Sequence, residues 1–152
     1  MEETSPDSAN RQVLEGICVG VSDGDSLHLE LPGGERVRIR LYGIDAPEKD
    51  QEFALLARKK LGRLTYNKAL RAEVMDVDKY GRYVAKVYVG ARYINRFMLK
   101  EGLAWHYRHY AADDTLLAET ENRARAAGRG IWAGASPCRP RNFRSEHRSE
   151  IQ

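Results

Sequence analysis

Cysteine is scarce in this chain, with two residues in 152, Cys18 and Cys138. That excludes a small disulfide-built scaffold, and no Cys/His set has the spacing of a zinc site. No apolar run approaches the roughly 18 residues that a membrane span requires. Charge of one sign is also lacking: 25 Lys and Arg stand against 22 Asp and Glu, a formal net of +3. So small an excess permits nucleic-acid binding without arguing for it. Internal repeats, low-complexity stretches, zinc fingers, basic zippers and a recognition helix are all missing. What remains is a globular balance, 42% hydrophobic and 31% charged, in a length that suits one domain rather than two.

Both ends are polar and lack apolar periodicity. Residues 1–11, with Glu2, Glu3 and Asp7, read as an N-terminal tail, and residues 136–152, with Arg139, Arg141, Arg144 and Arg148, as a basic C-terminal tail. Residues 12–135 are the expected domain. Met1 is followed by acidic and polar residues rather than by a basic and then an apolar segment, so no signal peptide is read. Cys18 falls in a strand. It and Cys138 suit free thiols or, in an oxidising compartment, a disulfide.

Period-two alternation marks the strands. Val13, Ile17, Val19 and Val21 form one apolar face, and Leu27, Leu29 and Leu31 the next. After the turn Pro32-Gly33-Gly34, Val37, Ile39 and Leu41 alternate with Arg36, Arg38 and Arg40. Residues 71–77 and 82–89 are strand-like, joined by Asp78-Lys79-Tyr80-Gly81. Helical spacing places Phe53, Leu56, Ala57, Leu61 and Leu64 on one face. A second helix runs from Ile94 to Glu101, closed by Gly102. A third, capped by Asp113 or Asp114, turns Leu117, Thr120, Ala124 and Ala127 inward and stops at Gly128. Five strands with a helix after the third suit a small closed barrel of the OB type, an α+β single domain with three α-helices.

Two clusters could carry chemistry. In Ser22-Asp23-Gly24-Asp25-Ser26, two carboxylates flank a glycine that supplies backbone freedom, although an ordinary Asp-Gly hairpin would look the same. In Arg40-Leu41-Tyr42-Gly43-Ile44-Asp45-Ala46-Pro47-Glu48, an arginine and two carboxylates lie within nine residues, with Pro47 stiffening the chain between the acids. Taken singly, each of these residues suits a solvated strand end. Taken as a set, the Asp carboxylates are hard oxygen donors suited to Ca²⁺. His106 and His109 are expected on a polar face, and Trp105 and Trp132 in packing roles.

With Asp78-Lys79-Tyr80-Gly81-Arg82 added, the three motifs in order resemble the staphylococcal nuclease (thermonuclease) family, from about Val13 to Trp132, with Gly102-Leu103-Ala104 and Gly130-Ile131-Trp132 also matching. The resemblance implies an OB-like barrel and a calcium-dependent nuclease. Asp25 and Asp45 match calcium carboxylates, Ala46 a backbone-carbonyl ligand, and Asp23 an acidic neighbour acting through water. Arg40 and Arg82 match the arginines on the scissile phosphate, and Glu48 the carboxylate assigned as general base. Lys79 and Tyr80 match neighbours of a second phosphate, and Tyr110 a residue of the nucleotide pocket. Ser26 and Ala46 stand where Thr is frequent, and 105–110 departs from the staphylococcal pattern, leaving the base-stacking residue open.

The implied reaction is endonucleolytic hydrolysis of DNA and RNA with little sequence specificity, leaving 3′-phosphate ends, in a monomer needing no protein partner or membrane. A calcium requirement favours work outside the cytoplasm, secreted or periplasmic. The competing expectation is a catalytically silent OB-fold module that binds single strands through a basic groove and stacked aromatics.

Overall fold

A computed structural model describes residues 11–107, 111 and 114–134. Tyr110, His109, Asp113, Cys138 and nearly all of both expected tails lie outside the described residues. Among the described residues there are eight strands: β1 (Val13–Asp23), β2 (Ser26–Glu30), β3 (Arg36–Leu41), β4 (Ile44–Asp45), β5 (Ala69–Val77), β6 (Tyr83–Val89), β7 (Arg92–Tyr93) and β8 (Trp105–His106). Three α-helices accompany them among the described residues, α1 (Ala54–Thr65), α2 (Ile94–Lys100) and α3 (Thr115–Ala126), with a 3₁₀ turn at Gly130–Ala133. No helix among the described residues is long and apolar enough to cross a membrane.

The sheet order is β3-β2-β1-β5-β6-β7, and β3 also pairs with β6, so five strands close on themselves as the alternation predicts. The closing pair is parallel, with Ile39 opposite Tyr83, Arg40 opposite Val84 and Leu41 opposite Ala85. The other neighbours in the barrel are antiparallel. Closure leaves no long unpaired edge among the described barrel strands. It also gives Arg40 two cross-strand neighbours, Ser26 on β2 and Val84 on β6.

Leu27, Leu29, Ile39 and Leu41 fill the barrel, together with Ala85, Val87, Leu70 and Ala72. Each such Leu or Ile contributes about 1.5–3 kcal/mol by leaving water. Strand β1 departs from expectation. Leu14 and Cys18 point inward, whereas Val13 and Ile17 are exposed. The register slips between Cys18 and Gly20 and again between Val21 and Asp23. A bulge shifts the alternation by one residue, which is how Val21 regains the core while Ile17 lies outside. The inward position between Leu14 and Cys18 is Gly16, where a Cβ would fall 2.2 Å from the Glu30 carbonyl oxygen.

Helix α1 lies on β1 through Ala57, Leu61, Leu64 and Thr65, and Leu56, expected on that face, is exposed. Helix α2 buries Ile94, Met98 and Leu99 and ends as foreseen, with Gly102 at φ 72°. On the same helix the buried Asn95 accepts the Val87 N–H (2.9 Å) and donates to the Tyr42 and Ala85 carbonyls (2.9 and 3.1 Å). These bonds complete the backbone pairing beyond the short β3–β6 closure. In α3, Asp114 is the cap, accepting the Leu117 N–H at 3.1 Å. Leu117, Thr120 and Ala124 are buried, but Ala127 lies past the helix end and is exposed.

Candidate active site

The barrel closure collects the candidate residues. Asp25 precedes Ser26 at the start of β2, Arg40 sits opposite Ser26 on β3, and Arg82 leads into β6 beside them. Asp45 arrives by another route. Gly43 turns the chain in the left-handed region (φ 77°), where a Cβ would stand 2.5 Å from a Leu117 methyl. The following β4 then pairs with β8, Ile44 opposite His106 and Asp45 opposite Trp105. This two-residue ladder, invisible to periodicity, fixes Asp45.

Arg40 spans the two buried aspartates. Its Nη1 is 2.8 Å from Asp25 Oδ2 and its Nη2 is 3.5 Å from Asp45 Oδ1. Burial pushes the Arg40 pKa down, but the charges of Asp25 and Asp45 prevail and hold it above the ordinary value. Asp25 also accepts the Ala46 N–H (2.9 Å) and the Ser26 hydroxyl (3.1 Å). Ala46 therefore secures Asp25 through its amide. Asp23 stands at the rim, its pKa raised by desolvation and by Asp25, against the opposing charges of Arg82, Arg40 and Arg58.

Gly24 acts by space rather than by conformational freedom. Its φ is not positive, yet a Cβ there would lie 2.6 Å from the Ala57 Cβ and 2.9 Å from the Ala46 Cβ. The Asp23–Asp25 turn can therefore seat directly against helix α1.

Arg82 is held by Asp78, a residue passed over as a turn former. Asp78 Oδ2 accepts the Arg82 Nε–H (2.7 Å), while Oδ1 accepts the backbone N–H groups of Tyr80 and Arg82 (2.9 Å each). Burial opposes ionisation of Asp78, but these hydrogen bonds and the Arg82 charge outweigh it and lower its pKa. The Arg82 Nη1 is 3.5 Å from the Ser26 hydroxyl, across from Asp25. Arg38 donates to the Tyr80 carbonyl, tying the 78–82 turn to β3. Tyr80 is 60% exposed, with Lys79 Nζ 5.3 Å and Arg82 Cζ 5.7 Å from its ring centre.

These groups line one cleft of about 750 Å³, where Asp23, Asp25, Arg40, Asp45 and Glu48 meet Asp78, Lys79, Tyr80 and Arg82. Glu48 is half-buried, its N–H bonded to Gln51 Oε1 at 3.0 Å. Of the candidate site residues that the structure describes, all but Ala46 line this cleft, and Ala46 is buried just behind Asp25; Tyr110 lies outside the described residues. Tyr107, which the sequence reading missed, does line it, with the Arg40 guanidinium 5.5 Å from its ring centre. Its position follows from the N–H it donates to Gly43 (2.8 Å), which continues the β4–β8 ladder. An aromatic three residues from Tyr110 in a Tyr-rich run was the available signal.

His106 corrects an expectation. It is buried, not on a polar face: its N–H donates to Glu121 Oε2 (2.6 Å) and its Nε2 lies 2.7 Å from the Ala111 carbonyl oxygen. Trp105 is buried and meets Trp132 edge to face at 6.3 Å, the packing role foreseen. Among the described residues no three His, Cys, Asp or Glu side chains are gathered as a metal-holding group.

The family model for staphylococcal nuclease homologues matches residues 38–134. The chain belongs to the staphylococcal nuclease homologue family. A Haemophilus influenzae protein described as an uncharacterized endonuclease is 39% identical over 130 residues, covering 86% of this chain and 72% of its own length. The micrococcal nuclease of Shigella flexneri is 34% identical over 141 residues, covering 86% of this chain and 80% of its own. A probable staphylococcal-like nuclease of Oryza sativa subsp. japonica is 38% identical over 117 residues, and the aligned part spans 32% of that longer relative. Family and relatives identify the chain as a nuclease with a nucleic-acid substrate.

Proposed function

We propose that this nuclease is a calcium-dependent endonuclease that hydrolyses DNA and RNA with little sequence specificity and leaves 3′-phosphate ends. The observation that carries the reading is the convergence of Asp25, Arg40, Asp45, Glu48 and Arg82, from three stretches far apart in the sequence, on one cleft. A turn and a solvated strand end have no reason to aim all five at the same space.

The donor chemistry fits calcium. The carboxylates lining the cleft are oxygen donors, and among the described residues no His or Cys lines it. Asp25 and Asp45 would hold the ion, with the Ala46 carbonyl as the resemblance implies and Asp23 acting through water. Two carboxylates that share one arginine make a sparse donor set, which favours weak binding and a site completed by water and substrate. Bound there, the ion supplies positive charge to a phosphate oxygen and to the attacking water.

The chain's own residues do the rest. Arg82 is oriented by Asp78 through Nε and lines the cleft, where its guanidinium meets a phosphate. Arg40 engages the same phosphate, with Asp25 and Asp45 fixing its plane. A phosphodiester gains charge as water attacks, and two fixed guanidiniums strengthen their grip as it does. Glu48 takes the proton from that water. Lys79 and Tyr80 meet a neighbouring phosphate on the rim, while Tyr107 and Tyr110 serve the nucleotide pocket. With phosphates as the handle, base identity matters little.

The test is cleavage of single-stranded DNA and RNA oligonucleotides with calcium and with excess chelator. Cutting at many positions with calcium, abolished by chelation and leaving 3′-phosphates, is expected. Undiminished cutting in chelator would refute the metal assignment. Tight binding of single strands without any cutting would establish the silent binding module instead.

A further inference from the structure

Helix α1 carries Arg58, Lys59, Lys60 and Arg63 and no carboxylate, four cations in a chain whose whole net charge is +3. No ion pair joins any of the four to another described residue. Lys60 is turned aside, its Nζ 5.2 Å from the Phe97 ring centre. The buried arc is Ala57, Leu61, Leu64 and Thr65. At 3.6 residues per turn, Arg58 and Gly62 fall in one row beside that arc, with Lys59 and Arg63 further out. Arg58, Lys59 and Arg63 are all exposed.

Two further observations give this face a direction and an opening. Ala57 packs against Gly24, so the first turn of the helix lies against the Asp23–Asp25 turn. Gly62 sits one turn on from Arg58. Apart from proline, glycine is the poorest helix former, and packing does not demand it here: a Cβ would meet nothing within 4 Å. A side-chain-free patch between cations suits close approach of another backbone. Beyond it stands Tyr66, 59% exposed at the helix end, then Lys68, whose Nζ donates to the Arg63 carbonyl at 3.1 Å.

We propose that this face of α1 is a second binding track for single-stranded nucleic acid, continuing from the cleft past Asp23. Phosphates meet Arg58, Lys59 and Arg63, the strand's backbone passes over Gly62, and a base stacks on Tyr66. The helix offers about 18 Å of track. The proposal rests on the nuclease reading and extends it, making the enzyme favour long strands over short ones. A membrane surface is the other partner a basic helix with exposed Leu55 and Leu56 would suit. Continuity with the cleft favours the nucleic acid.

The test compares the parent, the double variant Lys59→Glu with Arg63→Glu, and the single variant Tyr66→Ala. Affinity for a single-stranded 20-mer and for a trinucleotide is measured in chelator, and cleavage of both with calcium. The double variant should bind the 20-mer roughly tenfold more weakly or worse, with a log–log salt slope smaller by about 1.4, two contacts at 0.7 each. Tyr66→Ala should weaken it roughly fivefold or more, as loss of one stacked base does. Trinucleotide cleavage should stay near the parent rate in both. Equal 20-mer affinity in parent and variants overturns the track while leaving the nuclease reading intact. So does a double variant that loses only its binding to anionic phosphatidylserine vesicles. A parent that cuts neither substrate refutes the nuclease reading, and the 20-mer affinities in chelator then decide the track by themselves. If the double variant does not fold, the exposed Tyr66→Ala substitution decides alone.

Discussion

At the scale of single residues, the site depends on carboxylates that hold arginines in place. Glu48 is the exception, since its assigned task is to accept a proton. Replacing it with Gln keeps the shape and removes the base, so kcat should fall by about 10²–10⁴ while nucleotide affinity holds or rises slightly. Single-turnover cleavage beside binding of a non-cleavable nucleotide checks both; a Gln variant that cuts at the parent rate sinks the assignment. Asp78 should act through Arg82. Its lowered pKa means that the folded state prefers the ionised form, so it stabilises the fold above its ordinary value of 3.8. That contribution is lost as pH falls from there through the depressed folded value. Asp78→Asn should therefore cost about 1–2 kcal/mol at neutral pH, and the gap from the parent should close in acid. Urea unfolding at several pH values measures it. A gap of constant size from pH 7 to pH 2 would show that Asp78 acts without its charge.

At the scale of elements, legibility followed the length of the pattern. Strands β2, β3 and β6 and the ends of α2 and α3 obey simple periodicities and caps, and the structure keeps them within a residue or two. Strand β1 misled because a bulge reverses its alternation, and no composition signal marks a bulge between Cys18 and Gly20. The β4–β8 ladder is two residues long and joins chain positions some 60 apart. Nothing local announces it, and His106 and Tyr107 were misplaced or missed for that reason. Gly102 shows the reverse, a local signal with a non-local consequence. It was read as a helix stop, and φ 72° agrees, but a Cβ there would also lie 2.2 Å from the Arg129 carbonyl oxygen. Its own carbonyl accepts the Ile131 N–H at 2.8 Å. Gly102→Ala should therefore cost about 2 kcal/mol or more, combining left-handed strain with a backbone clash. Thermal melts compared with Gly90→Ala, also at positive φ but with open space around it, separate the two causes. Equal losses would leave strain as the whole effect.

At the scale of the molecule, three short motifs far apart in sequence meet because a barrel closes, and that explains why residues nominated from separate motifs share one cleft. Asp25, Arg40 and Arg82 could be nominated from motif order alone, whereas their mutual geometry needed the parallel β3–β6 pairing. The same closure governs how the protein should respond to an ion. Asp25 belongs to the β1–β2 turn and Asp45 to β4, and in the unfolded chain nothing holds the two carboxylates together. An ion bridging them binds the folded state alone and must stabilise it by RT ln(1 + [L]/Kd), about 2.7 kcal/mol at a hundredfold excess over Kd. The sparse donor set implies that millimolar calcium is needed to approach this. Thermal unfolding should shift upward with calcium and return with chelator, without any nucleic acid present. Asp45→Asn should abolish the shift. It also removes one of the two charges on the buried Arg40, so the variant should melt below the metal-free parent, as loss of a partner from a buried ion pair is costly. Magnesium, smaller and reluctant to shed water, should shift the melt less at equal concentration. A parent whose melting temperature ignores calcium up to tens of millimolar would remove Asp25 and Asp45 as its ligands, whatever the cleavage assay showed.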